Sequence, residues 1–160
     1  MSLITAEQLK KVTTTITLDR CKTMAELLNT LGAKYEIKDK NVFHEFLANV
    51  LQESGEFTHK EENMNYRAGT LMKVWSARFP TLESTVGYVF NGKNLANKVY
   101  GDRMGNRKGT DDGWNFRGGG FIGLTGREVY TKYAAYINEK IEVAAELVRT
   151  TDKYALDSAY

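Results

Sequence analysis

The hydrophobic residues of this chain recur every three or four positions, which is the spacing of an amphipathic α-helix. The clearest stretch covers residues 41–54, where one apolar stripe contains Phe43, Phe46, Leu47, Val50 and Leu51. The same pattern predicts further helices over residues 18–31, 71–79, 81–90, 95–100, 128–137 and 141–148. The chain is therefore predicted to be mainly helical.

Capping residues and helix breakers support this interpretation. Residues 5–8, Thr-Ala-Glu-Gln, have the form of a capping box and open a first short helix. Gly32 is placed to end the second helix as its C′ residue. A single proline in 160 residues also favours helices over a turn-rich β fold. We expect one mainly α domain over residues 1–160, with a cleft and a small irregular loop or β region.

The irregular region is expected over residues 101–126, which contain nine glycines and show little periodicity. Long loops inside compact domains are usually functional or disordered, and the aromatic content favours a functional loop. Residues 118–123 match the pattern G-x-G-x-x-G, but no buried strand precedes them, so a dinucleotide site is not favoured. Close approach of a substrate or another backbone explains these glycines better.

Charge and hydropathy exclude several classes of protein. The 22 basic and 20 acidic side chains leave a net charge of +2, which predicts no strong nucleic-acid footprint, although a local basic patch at Arg103, Arg107 and Lys108 stays open. No apolar run is long enough to span a membrane, so we expect no stable membrane insertion. Residues 1–9 lack the pattern of a secretory signal. We therefore expect synthesis in a cytoplasm and delivery to any extracytoplasmic target by another route.

The cysteine and the histidines do not predict a redox or metal site. The single Cys21 has the helical spacing of a core residue and cannot form an internal disulfide. His44-Glu45 begins like a zinc-protease helix, but the fourth residue after His44 is Ala48. His59 has no partner at ligand spacing. We expect neither metal nor cofactor, and a monomer.

Two glutamates are the strongest candidates for chemistry. Glu53 lies seven residues after Phe46, two helical turns on, so the apolar stripe is expected to meet it at the end of the helix. Burial and the negative end of the helix dipole both favour a carboxyl that keeps its proton, as a general acid requires. Glu62 follows on a polar loop, where we expect it to be exposed and ionised. Glycosidic hydrolysis commonly needs such a pair. Both could instead be ordinary surface acids.

Aromatic residues surround the same segments and are candidates for binding sugar faces. They are Tyr66, Tyr100, Trp114, Phe116 and Tyr130. A core role is the better interpretation for Phe116 and Tyr100. Trp114 is the better binding candidate, because a glycine and an asparagine flank it.

Taken together, these segments resemble glycoside hydrolase family 19, the chitinases and phage endolysins with a lysozyme-like helical fold. The resemblance extends over residues 43–130, with its blocks in the same order as in the family. The blocks are FLANVLQESGEF at 46–57, ENMNYRA at 62–68, YGDRMGN at 100–106, GWNFRG at 113–118 and GFIGLTGR at 120–127, followed by Tyr130.

The resemblance implies inverting hydrolysis of a β-1,4 bond next to an N-acetylated sugar. Glu53 matches the general acid, Glu62 the general base that activates water, and Thr125 a residue that helps to hold that water. An inverting pair needs its carboxyls roughly 6.5–9.5 Å apart to admit the water. The residues expected to contact the sugar are Tyr66, Trp114, Arg117, Gly123 and Tyr130.

The chain departs from the family pattern at four positions. A histidine usually precedes the acid, where this chain has Gln52. Gly119 replaces an arginine, Gly123 a glutamine that lines the sugar site, and Val129 an asparagine. These changes concern sugar contacts and substrate preference more than the acid–base pair. Family domains also continue further, so the chain is expected to be a fragment or a shortened member.

Three functional hypotheses follow. The first is a bacteriolytic endolysin that cuts the peptidoglycan glycan strand, held in the host cytoplasm before release to the cell wall. The second is a chitinase acting on chitin oligomers. The third is a sugar-binding module of the same fold without catalytic activity, which the changes at Gly119, Gly123 and Val129 would suit.

Overall fold

The computed structural model describes residues 2–160, and helices make up most of this part of the chain. The mainly α fold predicted from the sequence is confirmed. Along residues 2–160 the α-helices are α1 (Ala6–Val12), α2 (Leu18–Lys34), α3 (Lys40–Glu53), α4 (Ala68–Val74), α5 (Gly92–Tyr100), α6 (Asp112–Asn115), α7 (Arg127–Ile137), α8 (Ile141–Thr150) and α9 (Asp152–Asp157). None of these helices is long and apolar enough to cross a lipid bilayer.

The contacts of the chain group into two compact units. The first unit comprises the chain up to Glu61 with residues 119–123 and 146–160. The second unit comprises residues 62–118 and 124–145. The single domain expected over residues 1–160 stays a prediction.

The first unit is built on the buried faces of α1, α2 and α3. Its core includes Leu9, Cys21, Leu28, Phe43 and Val50, so Cys21 is a buried core residue as predicted. At the start of α1 the capping box is present: the Gln8 N–H donates to the Thr5 hydroxyl, and the Gln8 side chain accepts from the Thr5 N–H. These contacts confirm the start of the first helix.

The predicted end of α2 at Gly32 is wrong, because the helix continues to Lys34. Gly32 lies inside the helix, and a Cβ at this position would collide with Leu3 Cδ1. The glycine therefore permits close packing of the N-terminal segment against α2. The Tyr35 N–H reaches the Leu31 carbonyl at 2.9 Å, and the Ile37 N–H reaches the Gly32 carbonyl at 2.8 Å, so these carbonyls are satisfied as the helix ends.

The turn after α3 is fixed by the Glu56 carboxylate. Three consecutive residues, Gly55, Glu56 and Phe57, have positive φ angles of 55°, 59° and 63°. The Glu56 carboxylate accepts hydrogen bonds from the N–H groups of Thr14 at 2.8 Å and Thr15 at 2.7 Å, and from both threonine hydroxyls. These donors, the Thr15 hydroxyl first, lower the pKa of Glu56 from 4.5 to about 2. Glu56 thus ties the loop after α1 to the strained turn after α3.

Replacing Glu56 by glutamine is expected to lower the melting temperature by a few degrees at neutral pH. A neutral amide accepts these bonds more weakly and places its own NH₂ among donors. Because the pKa of Glu56 is lowered on folding, its stabilisation is present above about pH 4.5 and is lost as the pH falls through about 2. Melting curves of both proteins across this range should therefore converge in acid. A Glu26→Gln variant on α2 is the control, and a pH-independent difference would contradict this role.

The second unit is built around α4 and α5. Its core contains Met64, Leu71, Phe79, Leu95, Ala96 and Val99. The helix predicted over residues 95–100 is present and begins earlier, at Gly92, where the Asn91 side chain accepts from the Asn94 N–H at 3.2 Å. The helices predicted over 128–137 and 141–148 are α7 and α8, each correct to within two residues.

The helix predicted over residues 81–90 is wrong, because only a 3₁₀ turn at Glu83–Thr85 forms there. Serine and threonine side chains compete with the helix for main-chain partners in this segment. The Ser84 N–H bonds to the Thr81 hydroxyl, and the Ser84 hydroxyl bonds to the Thr81 carbonyl. Gly87 and Phe90 then adopt positive φ angles of 84° and 50°, which interrupt any helix.

The helix predicted over residues 71–79 is α4, and it ends at Val74 rather than near residue 79.

Candidate active site

Glu62 is the centre of a polar site within the second unit. Its N–H donates to the Gly118 carbonyl at 2.9 Å, and its carboxylate Oε2 accepts from the Gly118 N–H at 3.3 Å. This two-way contact fixes both the main chain and the side chain of Glu62 against the glycine-rich segment. The side chain is half-buried, so the expectation of an exposed glutamate needs correction.

Two tyrosines contribute to the environment of Glu62. The Tyr100 hydroxyl, at the end of α5, donates to Glu62 Oε1 at 2.6 Å. Burial, then this hydrogen bond and the charge of Glu62, raise the pKa of Tyr100 well above its ordinary value of 10. Burial and the charge of Glu62 also raise the pKa of Tyr66. Both phenols therefore keep their protons, and Tyr100 remains a donor to the carboxylate throughout the physiological range.

Gly118 brings Glu62 and Thr125 to one small space. A Cβ at Gly118 would lie 3.0 Å from Glu62 Oε2 and 3.4 Å from Thr125 Oγ1. It would also lie 3.0 Å from Glu62 Cβ, so any side chain here would push Glu62 aside. The close approach predicted for the glycines at 118–123 is therefore found at Gly118. Two of the three predicted catalytic residues meet in the second unit.

In the same unit Arg117 stacks on Trp114, and Tyr130 contacts the main chain of Arg117. The Arg117 guanidinium lies 3.6 Å from the Trp114 ring centroid, and its Nη1 donates to the Trp114 carbonyl at 2.6 Å. The Trp114 N–H donates to Asn97 Oδ1 at 2.8 Å, which fixes the start of this group. Trp114 is half-buried.

Tyr130 and Arg117 are buried, which changes how their predicted roles are understood. Tyr130 is 0% exposed, and its hydroxyl donates to the Arg117 carbonyl at 3.2 Å. Arg117 is 7% exposed. In this structure the two residues support Trp114 and the main chain before Gly118. Direct sugar contact by either stays a prediction that their burial does not favour. Phe116 is fully buried, as the sequence indicated.

Glu53 lies in the first unit, at the last residue of α3. Its side chain is exposed, so the expectation that the apolar stripe buries it is wrong. The buried line of α3 runs through Phe43, Leu47 and Val50 to Ser54, whose hydroxyl donates to the Val50 carbonyl at 2.6 Å. Glu53 lies outside this buried line of the helix.

Gly123 also belongs to the first unit and is exposed, with a positive φ of 72°. A Cβ at this position would meet no atom within 4 Å. The glycine is therefore explained by its backbone conformation rather than by packing. A contact with sugar at Gly123 stays a prediction.

A buried carboxylate in the second unit anchors the segment that follows Thr125. The Asp112 carboxylate is 3% exposed and accepts from Arg107 Nε at 2.9 Å and from Arg127 Nε at 2.8 Å. The two guanidinium groups hold the pKa of Asp112 far below its usual range. Arg107, which belonged to the basic patch noted in the sequence, pairs with Asp112 while its own side chain stays 63% exposed. Among residues 2–160, no cluster of three or more His, Cys, Asp and Glu side chains could hold a metal ion.

The sequence favoured a core role for Tyr100, and its ring does pack against the core of the second unit, but the contact of its hydroxyl with Glu62 was not predicted. The only local signal was its position at the start of the 100–106 block. The contact with Glu62 joins residues 38 positions apart, which no periodicity reveals.

The chain is similar to one curated protein from Haemophilus influenzae described as a glycosyl hydrolase family 19 domain-containing protein. The two are 34% identical over 98 residues, which cover 61% of this chain and 49% of the relative. The match thus spans about half the length of that relative. No protein-family model matches the chain. The similarity supports the resemblance to family 19 that the sequence blocks predict.

Proposed function

We propose that this chain is a glycoside hydrolase that cleaves β-1,4 bonds in a polysaccharide of N-acetylated sugars. The observation that carries the proposal is the Glu62 site. One oxygen of the carboxylate is held by Tyr100, and the other lies beside Gly118, where a Cβ would also come within 3.4 Å of the Thr125 hydroxyl oxygen. A carboxylate with a hydroxyl close beside it is what a general base needs to orient and deprotonate water.

The proposed reaction follows the inverting scheme. Water held by Glu62 and Thr125 attacks the anomeric carbon, and its proton passes to the Glu62 carboxylate. Glu53 donates a proton to the leaving glycosidic oxygen as the bond breaks. The product sugar carries a new hydroxyl on the face opposite to the departed group. Exposed Trp114 surface and Tyr66 are the proposed stacking partners for the sugar rings.

We propose the glycan strand of peptidoglycan as the substrate and a bacteriolytic, endolysin-like role for the chain. The lone cysteine is buried, so this chain has no internal disulfide, whereas secreted small domains commonly depend on them. A protein without disulfides suits storage in a reducing cytoplasm before it reaches the wall. It acts in this proposal as a monomer and requires no cofactor.

The substrate is tested by comparing two reactions of the purified protein. We expect loss of turbidity from outer-membrane-permeabilised Gram-negative cells and little sugar release from chitin oligomers. Mass spectrometry of digested peptidoglycan should show fragments with a hydrated reducing end. A 1,6-anhydro sugar would identify a transglycosylase instead. Preferential release of sugars from chitin would identify a chitinase, and wall binding without cleavage would identify a sugar-binding module.

A further inference from the structure

We propose that Tyr100 is the positioning residue for the general base, and that it leaves Glu62 Oε2 as the oxygen that accepts the proton from water. This inference rests on the proposed function and adds a residue and an atom to it. It begins from an asymmetry between the two oxygens of the Glu62 carboxylate, which meet different partners.

Oε1 is occupied by a short hydrogen bond. The Tyr100 hydroxyl lies 2.6 Å from it, within the range of strong O–H to carboxylate bonds. Oε2 receives the longer bond of 3.3 Å from the Gly118 N–H. Oε2 is also the oxygen on the side of Thr125: a Cβ at Gly118 would lie 3.0 Å from Oε2 and 3.4 Å from Thr125 Oγ1. The less strongly bonded oxygen is therefore the one near the hydroxyl that is proposed to share its water.

Tyr100 is itself held both at its ring and at its main chain. It is the last residue of α5, and its ring packs against the core of the second unit. The Tyr100 carbonyl accepts from Asn106 Nδ2 at 2.9 Å, while Asn106 Oδ1 accepts from the Arg127 N–H at 2.8 Å. Through these two hydrogen bonds, the buried Asn106 links the main chain at Tyr100 to the segment just after Thr125.

This link connects the residue that orients Glu62 to the segment that carries Thr125. Tyr100 orients Glu62, and Asn106 ties Tyr100 to the start of α7, two residues after Thr125. The base and the hydroxyl that shares its water are thereby positioned by one hydrogen-bonded chain. Catalytic geometry that depends on such supporting contacts is lost without loss of the fold when a single donor is removed.

The kinetic test is Tyr100→Phe, which removes the donor and keeps the ring. We expect kcat on peptidoglycan to fall about tenfold with KM nearly unchanged, because the contact orients the base and not the sugar. Tyr88→Phe, at another half-buried tyrosine of the same unit, is the matched control. A kcat for Tyr100→Phe equal to that of wild type, or a loss that appears in KM alone, would overturn the proposal.

An NMR test is independent of activity. With tyrosine labelled at Cζ, the Tyr100 signal should move in Glu62→Gln at neutral pH, because its hydroxyl then meets an amide in place of a carboxylate. The signal should keep its position in Glu61→Gln. An unchanged Tyr100 signal in Glu62→Gln would overturn the proposal. A wild-type protein that shows this contact but cleaves no glycan would refute the proposed function and leave the contact standing.

Discussion

Replacing Glu62 by glutamine is expected to lower the rate of peptidoglycan hydrolysis by roughly 10²- to 10⁴-fold, the usual contribution of a general base. The amide is nearly the same size, so Tyr100 and Gly118 can still contact the side chain. It cannot accept a proton from water, however. The loss should therefore appear in kcat, with wall binding retained in a pull-down on purified peptidoglycan.

Glu61→Gln is the matched control for this experiment, because Glu61 is the exposed neighbour of Glu62. Glu61 takes part in an antiparallel bridge with Gly119 through its main chain, which the substitution preserves. It should retain wild-type activity. If Glu62→Gln lyses permeabilised cells as fast as Glu61→Gln, Glu62 is not the base.

Glu53→Gln is expected to abolish lysis to a similar extent, for a different reason. The side chain is exposed at the end of α3, where it is accessible to a polymer, and an acid must supply a proton to the leaving oxygen. Without that proton, the bond to a poor leaving group such as a sugar hydroxyl breaks slowly. The rate on peptidoglycan should fall by roughly 10²- to 10⁴-fold while binding is retained.

The acid role of Glu53 and the base role of Glu62 can be distinguished with an aryl glycoside of an N-acetylated sugar, whose aryl group is a good leaving group. Such a group departs without protonation, so Glu53→Gln should lose far less activity on it than on the polymer, whereas Glu62→Gln should lose activity on both. Glu45→Gln, at an exposed position of α3, controls for the loss of a negative charge from the helix. Equal losses for Glu53→Gln on the two substrates would remove Glu53 from the role of acid.

The positions of several helices could be predicted closely from the chain alone. The stripe of Phe43, Leu47 and Val50 located α3 to within one residue, and Thr5 located the start of α1. The failures have local causes that periodicity does not register. Gly32 resembled a helix terminator but serves close packing with Leu3, and the hydroxyl groups of residues 81–85 divert the backbone into a 3₁₀ turn.

For the candidate site, the order of sequence blocks was enough to nominate Glu62 and Thr125, which the structure places around Gly118. The exposure of Glu53 was predicted wrongly: it was expected to be buried and is exposed. The sugar contact expected of Tyr130 stays a prediction, although the residue is fully buried. The seven-residue step from Phe46 to Glu53 returns nearly to the same side of the helix, but it does not show how far along that side other parts of the chain bury the helix.

The sequence by itself determined the helices, because their hydrogen bonds and apolar stripes join residues three or four positions apart. It also determined which residue types were available for chemistry. Only the tertiary structure decided that Tyr100 holds Glu62 across 38 positions, and that Asn106 joins Tyr100 to the segment after Thr125. Such contacts depend on how distant segments pack, and packing is a property of the whole folded unit rather than of any local pattern.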